Sequence, residues 1–297
     1  MSGDSSGASS AASPTMIGLT QPEVSVWSER VTVALGMNPG LFSGPGTNTY
    51  LVGNGPRRIL VDTGQGKPEY LPVLEHALAR AGAEGLQEIV LTHAHVDHIG
   101  GLADVQSRFG PLRVSKLVLP GAATAGVTAI ADGQRIETDG ATLRAIFTPG
   151  HAPDHLCFSL EQEPALFSGD NVLGVGTTVI PLEGGDLQLY LDSLERLLTE
   201  PPGRIYPAHG PCIPDGRAKL REYLAHRRQR EAQILATLGP NPSLVSEIVR
   251  RVYTDIPAVL HAAAAHSVTA HLLKLEREGL AHREGAASAL ADRWSAA

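Results

Sequence analysis

The sequence predicts an α+β protein with a mainly helical C-terminal module. Short apolar strands alternate with helical stretches from about residue 24 to residue 214, and helical patterns dominate after that. Residues 92–101 place three histidines and an aspartate directly after one apolar strand. The chain has 297 residues, 42% of them hydrophobic, which is enough for one large domain or two with a substantial core.

The first segment, residues 1–22, is rich in Ser, Ala and Gly and has no apolar periodicity, so we expect a disordered tail. It has no apolar secretory core, and the first Lys or Arg is Arg30, which is unlike an Arg-rich transit peptide. The chain has only two cysteines, Cys157 and Cys212. These features predict an intracellular, reducing location, with the cytosol favoured.

We expect residues 23–238 to form one catalytic domain with a buried sheet. Helical patterns cover residues 70–81 and 189–198, and Asp139-Gly140 between two strand-like runs is a hairpin signal. No apolar run is long enough to span a membrane, so no membrane partner is expected. The formal net charge of -7 argues mildly against avid, non-specific nucleic-acid binding.

The run T-H-A-H-V-D-H-I-G-G at residues 92–101 is the strongest chemical signal in the chain. A chance H-x-H-x-D-H is expected in roughly one random chain in a thousand of this length. His93 and His95 alternate along an extended chain and share one side, whereas Asp97 and His98 follow where the chain must turn. The pattern predicts a metal site with two pairs of ligands.

Two ions that share a bridge need about seven protein ligands, so three more are expected. His151 in T-P-G-H, Asp170 in F-S-G-D and His209 in Y-P-A-H-G each follow a short strand-like run. Side chains at strand ends, on loops over a packed sheet, are typical of active sites. These three residues are the predicted remaining ligands.

Together with Asp62 in I-L-V-D-T-G, these motifs resemble, in their order along the chain, those of the metallo-beta-lactamase-fold hydrolases. Within that superfamily the chain is most similar to the beta-lactamase-like protein 2 group. Three stretches carry that similarity: G-T-N-T-Y-L-V-G at residues 46–53, S-G-D-N-V-L-G-V-G-T-T-V at 168–179 and H-R-R-Q-R-E-A-Q-I-L at 226–235. The resemblance covers about residues 33–294 and implies an αββα sandwich.

The resemblance also implies a role for each site residue. One zinc ion would be held by His93, His95 and His151, and the second by Asp97, His98 and His209, with Asp170 as the bridge. Asp97 is the predicted catalytic residue as well. Asp62 and His155 would lie behind the ligands, Asp62 orienting them. Iron or manganese could replace zinc in such a set of imidazoles and carboxylates.

Three functions remain open at this stage. The resemblance implies a single-stranded RNA endoribonuclease that uses a metal-bridging hydroxide, and we favour this interpretation. The first alternative is a thioesterase, either glyoxalase II-like or acting on acyl-carrier thioesters, because relatives with similar motifs hydrolyse such substrates. A thiolate can depart without a proton donor, whereas an RNA alkoxide benefits from an acid such as His155 or His226. The weakest alternative is a catalytically idle, metal-bound binding module.

The helix predicted at residues 215–238 carries six Arg or Lys against three Asp or Glu. One face could therefore meet phosphates, and His226, Arg227 and Arg228 are the candidate substrate contacts. The alternative is a solvated surface helix with internal ion pairs.

Residues 239–297 are predicted to form a separate module after the Pro240-Asn241-Pro242 break. We expect helices at 244–252, 257–264 and 266–278, a turn at Gly279 and a short strand pair. The run at residues 271–280 resembles the third helix and wing entry of winged-helix modules. Six basic residues are balanced by six acidic ones, which leaves no basic footprint for nucleic acid, so the alternative is a lid or packing role.

The expected partners are single-stranded RNA or a small acyl-thioester. The oligomeric state, monomer or homodimer, is open. Relatives that enter mitochondria keep the mitochondrial matrix as an alternative location.

Overall fold

The computed structural model of the protein describes residues 16–122, 126–200, 202–254, 257–285 and 288–297. Most of the predicted tail lies outside the described residues. In its described part, Met16 is buried beside Gly44. The disordered tail at residues 1–22 stays a prediction.

The first sheet consists of seven described strands that neighbour one another in chain order. The pairs from β1 to β4 are antiparallel and those from β4 to β7 are parallel. The strands are β1 (Val24–Ser28), β2 (Val31–Leu35), β3 (Asn48–Val52), β4 (Arg57–Val61), β5 (Gly85–Val90), β6 (Arg113–Lys116) and β7 (Thr128–Ala129).

The second sheet consists of five described strands, with the last one at the edge beside β11. They are β8 (Arg135–Thr138), β9 (Ala141–Phe147), β10 (Leu156–Leu160), β11 (Ala165–Gly169) and β12 (Arg204–Pro207). The predicted hairpin at Asp139-Gly140 is confirmed, because Thr138 pairs with Ala141 across the turn between β8 and β9.

Helices cover the outer face of each sheet. They are α1 (Tyr70–Arg80), α2 (Val96–Ile99), α3 (Leu102–Phe109), α4 (Leu187–Thr199) and α5 (Gly216–Thr237). Buried residues of α1 and α3 pack on the first sheet, and those of α4 and α5 pack on the second. The helices predicted at residues 70–81 and 189–198 are confirmed as α1 and α4.

A third apolar layer lies between the two sheets. Tyr50 of β3, Leu143 of β9, Phe158 of β10 and Phe167 of β11 are each at most 3% exposed and belong to it. Burial of apolar area at roughly 25 cal/mol per Å² holds the sheets face to face. The result is the expected αββα sandwich.

The C-terminal part packs with the end of α5 in a small core around Trp294. It contains β13 (Ser243–Leu244), α6 (Val245–Val252), a short 3-10 helix (Ala258–Leu260), α7 (His261–Arg277), β14 (Ala281–Glu284) and β15 (Arg293–Ala296). The two helices predicted at 257–264 and 266–278 are one helix, because four consecutive alanines after His261 continue it without a break.

In the part of the chain that the structure describes, no helix combines the length and the apolar character that crossing a bilayer requires.

Candidate metal centre

The predicted site residues lie on loops that leave the ends of neighbouring strands. Asp62 follows β4, the run at residues 92–98 follows β5, His151 follows β9, Asp170 follows β11 and His209 follows β12. The two packed sheets therefore bring five separate loops to one edge of the sandwich. Behind the loop after β5, a side chain on Gly101 would overlap the carbonyl of Thr63, so glycine at this position lets the two backbones pack closely.

Three imidazoles meet in the first half of the site. His95 Nδ1 lies 2.9 Å from His93 Nε2 and 3.0 Å from His151 Nε2. With Asp170 they form a group whose ligand atoms all lie within 4.8 Å of one another and could hold a metal ion.

The second half of the site contains Asp97, His98 and His209, which form another group of that kind. Asp97 Oδ2 lies 3.3 Å from His209 Nε2 and 3.5 Å from His98 Nε2.

The carboxylate of Asp170 lies between these two halves. Its Oδ1 is 3.2 Å from His209 Nε2 and 3.5 Å from His98 Nε2, and its Oδ2 is 3.4 Å from His151 Nε2. One oxygen therefore faces each group, which is the position that a bridging ligand needs.

The donor atoms fit a pair of metal ions. Among the described residues, His98 Nε2 and Asp170 Oδ1 are buried and have no hydrogen-bond partner. Burying such atoms unpaired is costly, and both face the centre of the site. Imidazole nitrogens and carboxylate oxygens suit zinc, iron and manganese.

Burial and neighbouring charges shift the pKa values of these side chains in both directions. Burial, with repulsion from His98, holds the pKa of His93 well below its ordinary value, and burial lowers the pKa of His151 to about 4. Burial opposes charge on Asp170, but His209 and His98 outweigh it and hold its pKa well below the ordinary range. Burial likewise opposes charge on His209, yet Asp170 raises its pKa to about 9. Burial also opposes charge on His98, but Asp170 and Asp62 hold its pKa well above the ordinary value. At neutral pH the Asp170 carboxylate is therefore ionised, His93 and His151 are neutral, and His98 and His209 each carry a proton that would be released when a metal binds.

Asp62 lies directly behind His98. Its carboxylate accepts hydrogen bonds of 2.8 Å each from the backbone N–H of Thr92, from the Thr92 hydroxyl and from His98 Nδ1. Once His98 has lost its second proton, the proton that Asp62 holds on Nδ1 leaves the lone pair of the ring on Nε2, which faces the cluster. Asp62 adopts a left-handed backbone conformation, with φ of 60°, to reach this position.

His155 lies behind Asp170 and is fully buried. Its Nε2 accepts a 3.1 Å hydrogen bond from the backbone N–H of Asp170, and its Nδ1 lies 3.0 Å from the Thr148 hydroxyl. It has no contact with the cavity described below, so the geometry does not favour it as a proton donor to substrate.

A further contact that the sequence did not predict orients His151. Its Nδ1 donates to the carbonyl of Val179 at 2.8 Å and lies 3.2 Å from the Thr178 hydroxyl. The acceptor is a backbone atom 28 residues away, for which no side-chain motif exists.

An open cavity of about 610 Å³ leads to the candidate metal ligands. His95, Asp97, His151, Asp170 and His209 form its polar end. Its other walls are mainly apolar and come from residues 16 and 17, the loop before β3, the loop after Asp170, α5 and the C-terminal helices. The apolar lining residues are Met16, Ile17, Leu41, Phe42, Leu173, Val175, Val179, Pro181, Val252, Tyr253, Leu260, Ala263 and Ala264.

Only one of the three predicted substrate contacts on α5 lines this cavity. It is His226, on the face that also presents Gln229, Arg230 and Gln233. Arg228 points elsewhere and pairs with Glu195 at 2.7 Å.

Arg227 is only 2% exposed, and its guanidinium bonds to groups inside the protein. The expectation that Arg227 meets substrate is therefore corrected, because a buried guanidinium that already holds internal acceptors cannot reach a phosphate in the cavity.

Two family models match the chain. The metallo-beta-lactamase superfamily matches residues 43–209, and the beta-lactamase associated winged helix domain matches residues 245–294. The lactamase-like protein adaB of Aspergillus niger is 40% identical over 289 residues, covering 93% of this chain and 88% of that protein. The beta-lactamase-like protein 2 homolog of Caenorhabditis elegans is 39% identical over 259 residues, covering 85% and 86%.

Solved structures agree with these matches. A metallo-beta-lactamase family protein from Thermus thermophilus superposes with a TM-score of 0.70 at 26% identity, covering 84% of this chain and 94% of that one. A beta-lactamase domain protein from Burkholderia ambifaria has the same fold, with a TM-score of 0.77 at 20% identity over 95% of this chain and 97% of that one. The ordered motifs, the αββα sandwich and these matches show that this chain belongs to the metallo-beta-lactamase superfamily, whose members are generally metal-dependent hydrolases.

Proposed function

We propose that this protein is a two-metal hydrolase that cleaves acyl thioesters with an apolar acyl group. The observation that carries the proposal is the cavity of about 610 Å³, which has the His and Asp cluster at one end and mainly apolar walls. Such a cavity favours an elongated, largely uncharged substrate whose reacting carbonyl lies at the polar end.

In this proposal His93, His95 and His151 would hold one ion and Asp97, His98 and His209 the other, and Asp170, whose carboxylate faces both groups, would serve both. Zinc, when bound, lowers the pKa of water to about 7 and polarises a carbonyl oxygen. Iron or manganese would serve the same ligands.

Other residues hold this constellation in place. Asp62 keeps the proton of His98 on Nδ1, and His155 fixes the backbone of Asp170. Asp97 is at the edge of the cavity, where its carboxylate can accept a hydrogen bond from the attacking water.

Hydrolysis of a thioester makes modest demands on the remaining residues. The water oxygen forms a bond to the carbonyl carbon, the carbon–sulfur bond breaks, and the products are a carboxylic acid and a thiol. With a thiol pKa of about 8.5, the thiolate departs without a dedicated proton donor. Burial and the nearby charge of Arg227 lower the pKa of His226 to about 4. This cavity residue is therefore neutral at pH 7 and is a poor proton donor to an alkoxide leaving group.

Single-stranded RNA, which the sequence favoured, now ranks second. Its support is the polar face of α5, on which His226 and Arg230 reach the cavity. A polyanion needs several Lys or Arg contacts, however, and Arg230 is the one such residue among the described residues that line the cavity. Asp97 and Asp170 at its polar end would repel phosphates until metals neutralise them.

We further propose residues 23–238 as the catalytic domain and 239–297 as the C-terminal module. The cavity lining from α6 to α7 supports a role for the module as one wall of the site. The boundary at residue 238 stays a prediction.

The proposal is tested by incubating the zinc-loaded protein with acetyl, octanoyl and dodecanoyl thioesters and, in parallel, with a labelled single-stranded RNA. The Asp170→Ala variant is the matched control. We expect thioester hydrolysis that depends on Asp170 and has a KM that falls as the acyl chain lengthens. RNA cleavage that depends on Asp170, with all thioesters inert, would replace this proposal by the endoribonuclease.

A further inference from the structure

Arg227 is a buried cation that the proposed reaction leaves unexplained. It lies in the middle of α5, is 2% exposed, and has no carboxylate partner among the residues that the structure describes. A guanidinium that gives up its hydration is costly unless its donors are used. Its contacts extend in three directions, and each ends on a part of the site.

The first contact leads to the metal ligand His151. Arg227 Nη2 donates to the carbonyl of Thr178 at 2.5 Å. The next residue, Val179, offers the carbonyl that accepts the proton of His151 Nδ1 at 2.8 Å, and the Thr178 hydroxyl lies 3.2 Å from the same nitrogen. The position of the 178–179 backbone therefore sets the rotation of the His151 ring.

The second contact leads to Asp170. The guanidinium lies 5.4 Å from the centre of the Tyr190 ring, within the range of a cation–π interaction. The Tyr190 hydroxyl donates to the carbonyl of Asn171 at 2.7 Å, and Asn171 follows Asp170 directly. The Tyr190 backbone also fills the space beside Gly150, so that a side chain on Gly150, which precedes His151, would overlap it.

The third contact leads to the C-terminal module. Arg227 Nη1 donates to the hydroxyl of Ser267 on α7 at 3.3 Å, and the hydroxyl of Tyr253, after α6, lies 3.4 Å from the same oxygen. Only a planar cation with several fixed donors can serve a carbonyl, a hydroxyl and an aromatic face at once.

We infer that Arg227 is a positioning residue that connects the C-terminal helices to the metal centre by fixing the 178–179 backbone behind His151. The inference rests on the proposed metal site, and it assigns the C-terminal module a part in metal affinity in addition to its part in lining the cavity. Residues that orient metal-bound histidines typically change metal affinity 10- to 100-fold when removed.

The experiment is a zinc titration of the metal-free full chain against a chromogenic chelator, for the wild type, Arg227→Met, Arg227→Lys and Arg221→Met. Arg221 is an exposed residue of the same helix, so its variant loses the same charge without touching the site. Urea unfolding of each metal-free variant is measured in parallel to separate misfolding from a change in affinity.

We expect Arg227→Met to weaken one of two zinc-binding steps about 10- to 100-fold, with Arg227→Lys intermediate and Arg221→Met equal to wild type. If Arg227→Met does not fold, Arg227→Lys decides, because a lysine lacks the planar fork whose two nitrogens bond Ser267 and Thr178, and we expect this variant to bind zinc more weakly.

Wild-type zinc affinity in a folded Arg227→Met, or in Arg227→Lys where only that variant folds, would overturn the inference and leave the proposed function standing. Weakening shared equally by Arg221→Met would overturn it too, as an effect of charge alone. A wild-type chain that binds no zinc would overturn the inference and the proposed function together.

Discussion

The carboxylate of Asp62 accepts a hydrogen bond from His98 Nδ1, and the isosteric replacement Asp62→Asn tests the importance of that bond. The carboxylate accepts three hydrogen bonds of 2.8 Å, two from Thr92 and one from His98 Nδ1. Asparagine tolerates the left-handed conformation of residue 62, so the backbone can stay in place. The change therefore tests the hydrogen-bond chemistry rather than the fold.

The amide cannot reproduce this pattern in either orientation. With its oxygen toward the N–H of Thr92, its NH₂ faces His98 Nδ1, which must then accept and shift its proton to Nε2. That nitrogen lies 3.5 Å from both Asp97 and Asp170, so a proton there blocks metal binding. In the other orientation, two N–H donors face each other at Thr92.

The expected loss of zinc affinity follows from the hydrogen bond between Asp62 and His98. A hydrogen bond to a charged group contributes about 1.5–3 kcal/mol, and each 1.4 kcal/mol is a factor of ten. We therefore expect one zinc ion to bind about 10- to 100-fold more weakly, in line with typical effects of residues behind metal ligands. Chelator competition measures this loss, and NMR of the histidine ring nitrogens reports the tautomer of His98.

Glu88→Gln is the matched control, because Glu88 is also a buried carboxylate of the first sheet but bonds to Ser115, away from the cluster. Two zinc ions bound with wild-type affinity in a folded Asp62→Asn would refute the tautomer reasoning.

Three other predictions concern stability, pH and substrate. Gly150→Ala should lower the free energy of unfolding by about 3 kcal/mol, because Gly150 has φ of 130° and a Cβ would overlap the backbone of Tyr190. Gly133 has φ of 75° and open space around it, so Gly133→Ala measures the cost of backbone strain without a clash. Equal urea unfolding midpoints for Gly150→Ala and Gly133→Ala would contradict the predicted clash with Tyr190. Burial and the charge of Arg227 lower the pKa of His226 to about 4, so its neutral form contributes stability that is fully present above about pH 6.5 and is lost as the pH falls through about 4. His226→Gln should therefore flatten the decline of the unfolding midpoint between pH 6.5 and 4, and an unchanged decline would show that other groups cause it. Phe42→Ala, at a 59% exposed position on the cavity rim, should raise KM about tenfold for a dodecanoyl thioester and leave it unchanged for acetyl; a uniform effect would argue against acyl recognition there.

The seven candidate metal ligands could be predicted because each lies in a short sequence motif. Each of the seven residues follows a short apolar strand, and the sheets bring the ends of those strands together. The hairpin at Asp139-Gly140 was equally local, since two turn residues decide it.

The orientation of α5 could not be predicted in the same way. Basic residues occur all around this helix, so its sequence has no single polar face that marks the side toward the cavity. Packing on α4 and α7 sets the orientation of the helix instead. It buries Arg227, whereas Arg230, which no sequence signal marked, reaches the cavity. The hydrogen-bond acceptor for His151 could not be predicted from the sequence, because it is the backbone carbonyl of Val179 and every residue has such a group.

The central claim is that Asp170 joins two metal ions in one hydrolytic site. The most direct measurement is the zinc content per chain, by elemental analysis, of wild type and Asp170→Asn, with thioester hydrolysis assayed on the same samples. We predict two zinc ions and turnover in the wild type, and at most one zinc ion without turnover in a folded Asp170→Asn. Two zinc ions and wild-type turnover in Asp170→Asn would contradict the two-metal site.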